Sequence, residues 1–301
     1  MAKIPFQKSP ATPLLSGQVV AAFGRRFQVE LEHGEALSCV VRGKKTGFAC
    51  GDHVALRQTE AGHGIIERVL ERASLLYRSD GFRDKIIAAN VTQIVIVVAA
   101  VPSFYEELIN RCVVAAEATG IRAVIVLNKC DLTIETRRAL GTLQLYEDIG
   151  YPVLPLSALQ DATPLLPHLR GQTSVLVGQS GMGKSSIINA LLPDAKSRIG
   201  EISEALDSGR HTTTYSMLYH LDQTSHLIDS PGLQEFGLSH LSAHQVDHAF
   251  IEFRPYLGHC RFNDCKHVIE PGCAVLGAMV EGVVSARRVG AYHRIIAQIK
   301  S

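Results

Sequence analysis

Gly178-Gln179-Ser180-Gly181-Met182-Gly183-Lys184-Ser185 stands between an apolar run, residues 175–177, and a helix-compatible run, residues 186–192. Strand, glycine-rich loop and helix in that order form a phosphate-binding loop. The glycines let the backbone wrap closely enough to aim successive N–H groups at phosphate oxygens, and the helix that follows adds its positive end. In the pattern G-x-x-x-x-G-K-[ST], Lys184 reaches the β- and γ-phosphates and the Ser185 hydroxyl ligates Mg²⁺. A chance glycine-rich turn would not carry both flanking elements. The loop sets the class of the surrounding fold, a mainly parallel sheet covered by helices, without deciding the base or the reaction.

Two upstream segments read the base. Asn128-Lys129-Cys130-Asp131 follows the buried-strand run 123–127, so its side chains project from the strand's C-terminal end. In N-K-x-D the aspartate accepts hydrogen bonds from guanine N1–H and the 2-amino group, while Asn128 and Lys129 brace the loop and pack on the base. Adenine offers no such donor pair. Ser157-Ala158, after the strand run 153–156, is placed to give a backbone N–H to guanine O6. Downstream, Asp229-Ser230-Pro231-Gly232 fits D-x-x-G, with Asp229 on Mg²⁺ through water and the Gly232 N–H sensing the γ-phosphate. Between them, Gly209-Arg210-His211-Thr212-Thr213-Thr214 puts hydroxyls where a switch needs a threonine on Mg²⁺. Thr213 is the preferred ligand and Thr212 the alternative.

The order of these parts is rotated. An ordinary small GTPase runs phosphate loop, switch I, D-x-x-G, N-K-x-D, S-A, whereas here N-K-x-D and S-A come first. A site assembled from loops on one sheet edge survives such circular permutation if the original termini lie close together. Leu233 stands where Ras-like proteins carry the glutamine that orients the attacking water. Gln234, another polar residue or a partner must serve instead; His211 is the best internal candidate, because imidazole can accept from water near neutral pH. Lys184 and Thr213 complete the expected catalytic set. A nucleotide kinase would explain the phosphate loop but not N-K-x-D, S-A and the threonines. A nucleic-acid module with a degenerate nucleotide site predicts a damaged loop, yet Lys184 and Ser185 are intact.

Outward from this core, a chain of 301 residues, 46% hydrophobic, has room for two or three domains. Residues 1–16, with Pro5, Pro10 and Pro13, read as a flexible tail. Residues 17–71 hold short β-prone runs at 18–22, 27–31, 37–41, 53–56 and 65–69, which suit a small closed barrel, OB-like or SH3-like. Residues 72–240 alternate buried strands with helices, and 241–301 read as helices around a Cys/His cluster. With 30 Lys plus Arg against 29 Asp plus Glu, net charge announces no nucleic-acid partner. Arg25, Arg26, Arg42, Lys44, Lys45, Arg287, Arg288 and Arg294 are local candidates for RNA contact, and scattered solvated charge explains them equally well. Neither a signal peptide nor a membrane-spanning run is visible, so a cytoplasmic protein without membrane contact is expected.

Cys260, Cys265, His267 and Cys273 offer three thiolates and an imidazole within fourteen positions, a full set for one structural Zn²⁺ with no place left for water. The remaining cysteines are scattered singly. The permuted order, GQSGMGKSS at 178–186, GRHTTT at 209–214, DSPGLQEF at 229–236 and CRFNDCKHVIEPGC at 260–273 together resemble the family of small ribosomal subunit biogenesis GTPases, RsgA. The resemblance runs from about Gly17 onward, and the leucine after D-x-x-G belongs to it. It implies an OB-fold domain, a permuted GTPase domain and a C-terminal zinc domain. By its motifs, Asn128 to Asp131 and Gly178, Gln179, Ser180, Gly181, Met182, Gly183, Lys184, Ser185 and Ser186 carry over as the GTP/GDP site, and the Cys/His set as zinc ligands. Also implied are rRNA binding, late maturation of the small ribosomal subunit, subunit-stimulated GTP hydrolysis and a monomer off the ribosome.

Overall fold

A computed structural model of the chain describes residues 14–43, 47–79, 84–193, 216–230 and 237–299. Inward apolar residues at alternate positions form the strands β1 (Leu15–Phe23), β2 (Arg26–Leu31), β3 (Ala36–Val41), β4 (His53–Glu60) and β5 (His63–Val69). Val19, Phe27, Val29, Leu31, Leu37, Cys39, Val54, Leu56 and Ile66 fill their common interior. Strand order β1-β2-β3-β5-β4, closed by β4 on β1 and with β3 parallel to β5, is the five-stranded Greek-key connection of an OB fold. That order decides between the two barrels the strand count allows. The first strand begins at Leu15, inside the expected tail; residues 1–13 lie outside the described ones, as do Lys44 and Lys45.

An antiparallel hairpin, β6 (Leu75–Ser79) and β7 (Asp84–Ala89), leads out of the barrel. Polar residues interrupt its apolar pattern, yet Leu76, Ile87 and Ala88 are buried, and Ala89 donates its N–H to the Cys50 carbonyl. The sheet follows as β8 (Gln93–Ala99), α1 (Glu106–Thr119), β9 (Arg122–Asn128), α2 (Thr133–Asp148), β10 (Val153–Pro155), the short α3 (Leu166–Leu169), β11 (Thr173–Val177), α4 (Lys184–Leu191), β12 (Ser216–His220) and β13 (His226–Asp229). Its order is β10-β9-β8-β11-β13-β12, parallel except for β12. All seven residues of β8 are buried, as a central strand covered on both faces requires. β12 also pairs antiparallel with β1, Met217 opposite Ala21 and Ser216 opposite Ala22, so barrel and nucleotide sheet are hydrogen-bonded into one.

Of the C-terminal helices, α5 (Ala243–Ala249) and α7 (Ala286–Ile296) pack against α1, α6 (Ala274–Val280) packs against α7, and all three share one core with α1. Arg288, 1% exposed, is the hub: Nε donates to Glu252 at 2.5 Å, a terminal nitrogen donates to Asn110 Oδ1 at 2.6 Å, and the guanidinium lies 4.3 Å from the Phe250 ring centroid. Arg287 pairs with Glu106, Arg294 with Glu107 and Arg254 with Glu117. Of the terminal-helix arginines, Arg288 is buried, whereas Arg287 and Arg294 pair with acidic residues of α1 and stay half-exposed. Arg25 and Arg42 remain exposed on the barrel. No helix among the described residues is long and apolar enough to cross a membrane.

Candidate nucleotide site and metal centre

Parallel pairing of β11 with β8 and β13 brings three strand ends to one edge of the sheet, and the phosphate loop leaves from the middle one. Gly178 must be glycine, since a Cβ there would lie 2.2 Å from the Val97 carbonyl oxygen. Gly183 adopts φ +92°, and a Cβ would meet Asn128 Nδ2 at 2.2 Å. Helix α4 then begins at Lys184 with no side-chain cap, which leaves its first N–H groups for an anion. Ser185 and Ser186 are exposed in that first turn. Lys184 folds back over the loop, its Nζ donating to the carbonyls of Gly178 at 2.5 Å and Gln179 at 3.0 Å.

Asn128, 2% exposed, ties the two halves of the site together. Its Nδ2 donates to the Met182 carbonyl at 3.0 Å, and its Oδ1 accepts from the Ala158 N–H at 2.9 Å. Lys129, held at φ +64°, donates from Nζ to the carbonyls of Val101 at 2.8 Å and Gly181 at 2.7 Å. Ser157 Oγ donates to Asp131 Oδ1 at 2.6 Å and so orients an otherwise exposed carboxylate. Cys130 serves the loop from inside, with its thiol on the Leu127 carbonyl and its N–H on that of Leu156. The phosphate loop, N-K-x-D and S-A, up to 54 residues apart in sequence, are thereby one hydrogen-bonded unit. No motif marks the loop after β8, whose Val101 carbonyl holds Lys129 and whose Tyr105 N–H donates to the Gln179 side chain at 3.2 Å.

Asp229 ends β13 beside β11. Burial pushes its carboxyl above the usual range, with the Lys184 charge and the Ser230 N–H opposing; burial likewise lowers Lys184, with Asp229 opposing. Each charge is therefore under-compensated by the other, and a site of this kind gains from a cation and a phosphate together. Ser216 and Ser230 hydroxyls meet at 3.0 Å and join the end of one switch segment to the start of the other. Gly232, Leu233, Gln234, His211, Thr212 and Thr213 lie outside the described residues.

The family model of the RsgA GTPase matches residues 69–239, more than half of the chain. The chain belongs to the RsgA GTPase family. It is a GTP hydrolase. A relative from Nitrosospira multiformis named small ribosomal subunit biogenesis GTPase RsgA is 56% identical over 297 residues, covering 99% of this chain and 95% of that one. The crystal structure of YjeQ from Thermotoga maritima superposes with a TM-score of 0.72 at 29% identity, covering 95% of this chain and 99% of the other. That of YloQ, described as a circularly permuted GTPase, gives 0.69 at 26% identity, covering 95% of each.

In this RsgA-family chain the Cys/His loop is closed into a single cluster. Ligating atoms of Cys260, Cys265, His267 and Cys273 all lie within 4.8 Å of one another. Zn–S near 2.3 Å and Zn–N near 2.0–2.1 Å imply tetrahedral edges of about 3.8 Å between sulfurs and about 3.5 Å from sulfur to nitrogen. The observed edges are 3.9 Å for Cys260 to Cys273, 3.5 Å for Cys260 to His267 Nδ1 and 3.3 Å for His267 Nδ1 to Cys273. Two N–H groups point at sulfur, Ala274 at Cys260 and Leu276 at Cys273, as suits thiolates. Glu270 organises the loop by accepting from the N–H groups of Lys266, Val268 and Ile269; desolvation opposes its charge, but these donors outweigh it and bring the carboxyl to about 2. His293 Nε2 lies 2.7 Å from the His267 carbonyl. These supports had only a faint trace in the sequence, an acid just before Pro-Gly.

Proposed function

We propose that this GTPase binds GTP and GDP through Asn128, Lys129, Asp131, Ser157 and Ala158 on the base and residues 178–186 on the phosphates. The bridge from Asn128 to both Met182 and Ala158 carries the reading, because it couples recognition of guanine to the shape of the phosphate cradle. Ser185, Asp229 and Thr213 would hold Mg²⁺, which supplies charge neutralisation between β- and γ-phosphates when bound. Lys184 leaves the two loop carbonyls for phosphate oxygens and stabilises the charge that develops on the leaving group. Gly232 senses the γ-phosphate, and His211 orients the attacking water. The Cys260, Cys265, His267 and Cys273 centre holds one structural Zn²⁺.

The relatives' name points to the small ribosomal subunit as the partner. We infer that the chain acts in the cytoplasm as an assembly checkpoint late in maturation of that subunit. It is a monomer when free, contacts rRNA through the barrel, and turns GTP over faster on the subunit. The barrel's hydrogen-bonded seam with β12, the strand that follows switch I, gives RNA contact a direct route to the nucleotide. Co-sedimentation with small subunits tests this: binding should be stronger with a non-hydrolysable GTP analogue than with GDP, and equal binding in both states would refute a checkpoint role.

A further inference from the structure

Helix α5 places His244 and His248 four residues apart, hence on one face. Both are exposed, their ring centroids are 4.4 Å apart, and their Nε2 atoms converge to 3.1 Å. Two nitrogens bound to one ion at 2.0–2.1 Å lie about 2.9 Å apart at a right angle and about 3.4 Å apart at the tetrahedral angle. The observed separation falls between, so the two nitrogens are spaced as two ligands of one ion are. A 3.1 Å separation requires one ring to carry its proton on Nε2; with both neutral rings protonated on Nδ1 instead, both Nε2 lone pairs are open to an ion. Both histidines and Asp247 line a cavity of about 380 Å³ whose other walls include Cys260, Cys265 and His267. Tyr292 donates to Asp247 Oδ1 at 2.7 Å, fixing a negative charge beside the pair.

We propose that His244 and His248 form a second metal site, separate from the cysteine cluster, for a divalent transition ion that favours imidazole, such as Zn²⁺, Ni²⁺ or Cu²⁺. Two protein ligands leave the remaining positions to water, so this ion exchanges readily, unlike one enclosed by three thiolates and an imidazole. The site does not depend on the nucleotide reading. Nickel is the probe, titrated calorimetrically into nucleotide-free full-length protein whose tightly held zinc has been quantified beforehand. Wild type should take up one Ni²⁺ that H244Q/H248Q does not, and H244Q and H248Q singly should each weaken it tenfold or more, with zinc content and Tm unchanged. In wild type the same Ni²⁺ should broaden the imidazole C–H signals of these two residues before other histidines. Equal uptake by wild type and the double variant, or full affinity in either single variant, overturns the proposal. Absence of tightly held zinc would instead count against the cysteine centre, and that measurement is independent of nickel uptake.

Discussion

Replacing Asn128 by alanine removes one donor and one acceptor from a residue that is 2% exposed, and strands the Met182 carbonyl and the Ala158 N–H. Each neutral hydrogen bond contributes about 0.5–1.5 kcal/mol net, so the loss of preorganisation is about 1–3 kcal/mol. At about 1.4 kcal/mol per decade, GTP affinity should fall by about 5- to 140-fold. Asn128→Asp separates the two contacts. It keeps an acceptor for Ala158 but sets a carboxylate oxygen against the Met182 carbonyl, so it should bind GTP more weakly than Asn128→Ala. The assay is fluorescence titration with labelled GTP and GDP, accompanied by hydrogen exchange at Met182 and Ala158. Protection should fall at both loops in the alanine variant. Affinity within twofold of wild type would refute the idea that the bridge couples base to phosphate.

Asp131→Asn should move preference from GTP to xanthosine triphosphate, whose C2 carbonyl accepts the new amide N–H; competitive titration of the two triphosphates measures the exchange. Asp229 holds its proton more firmly folded than unfolded, so its contribution to stability is present at low pH and lost as pH rises through the raised folded value. Asp229→Asn should accordingly raise the Tm of nucleotide-free protein at neutral pH while weakening Mg²⁺-dependent GTP binding, checked by melting curves and titration with and without Mg²⁺. Arg288→Ala leaves Glu252 and Asn110 without their buried partner and should cost about 3–5 kcal/mol in denaturant unfolding. Chelating zinc, or Cys265→Ser, should loosen residues 260–273 in limited proteolysis while GTP affinity holds, because the nucleotide motifs sit at strand ends of the sheet and the cluster lies in the loop that precedes α6.

Most of the fold was legible where one period dominated. The continuous apolar run that became β8 and the alternating strands of the barrel each read directly as strands, and glycines with a required conformation marked the phosphate loop. The hairpin β6–β7 was missed because its buried residues, Leu76, Ile87 and Ala88, are separated by Arg78 and Lys85 and supported by contacts far away in sequence. The candidate site residues stood out because phosphate and guanine chemistry would restrict each position to a few side chains. What composition could not carry was the pairing of distant groups. Asn128 with Met182, Arg288 with Asn110, and β1 with β12 are all products of the assembled topology. Arg287, Arg288 and Arg294 show the same limit, since a basic helix looks alike in sequence whether or not its arginines pair with an acidic neighbour, as these do with Glu106, Glu252 and Glu107.

The central claim, a guanine-specific hydrolase assembled from permuted motifs and answering to the small ribosomal subunit, is tested most directly by steady-state phosphate release. GTP and ATP should be compared with and without purified small subunits, for wild type and Lys184→Ala. The account predicts turnover of GTP but not ATP, acceleration by the subunits, and strong loss of both basal and stimulated rates in the lysine variant. Comparable turnover of ATP, or a Lys184→Ala protein that keeps the wild-type stimulated rate, would contradict it.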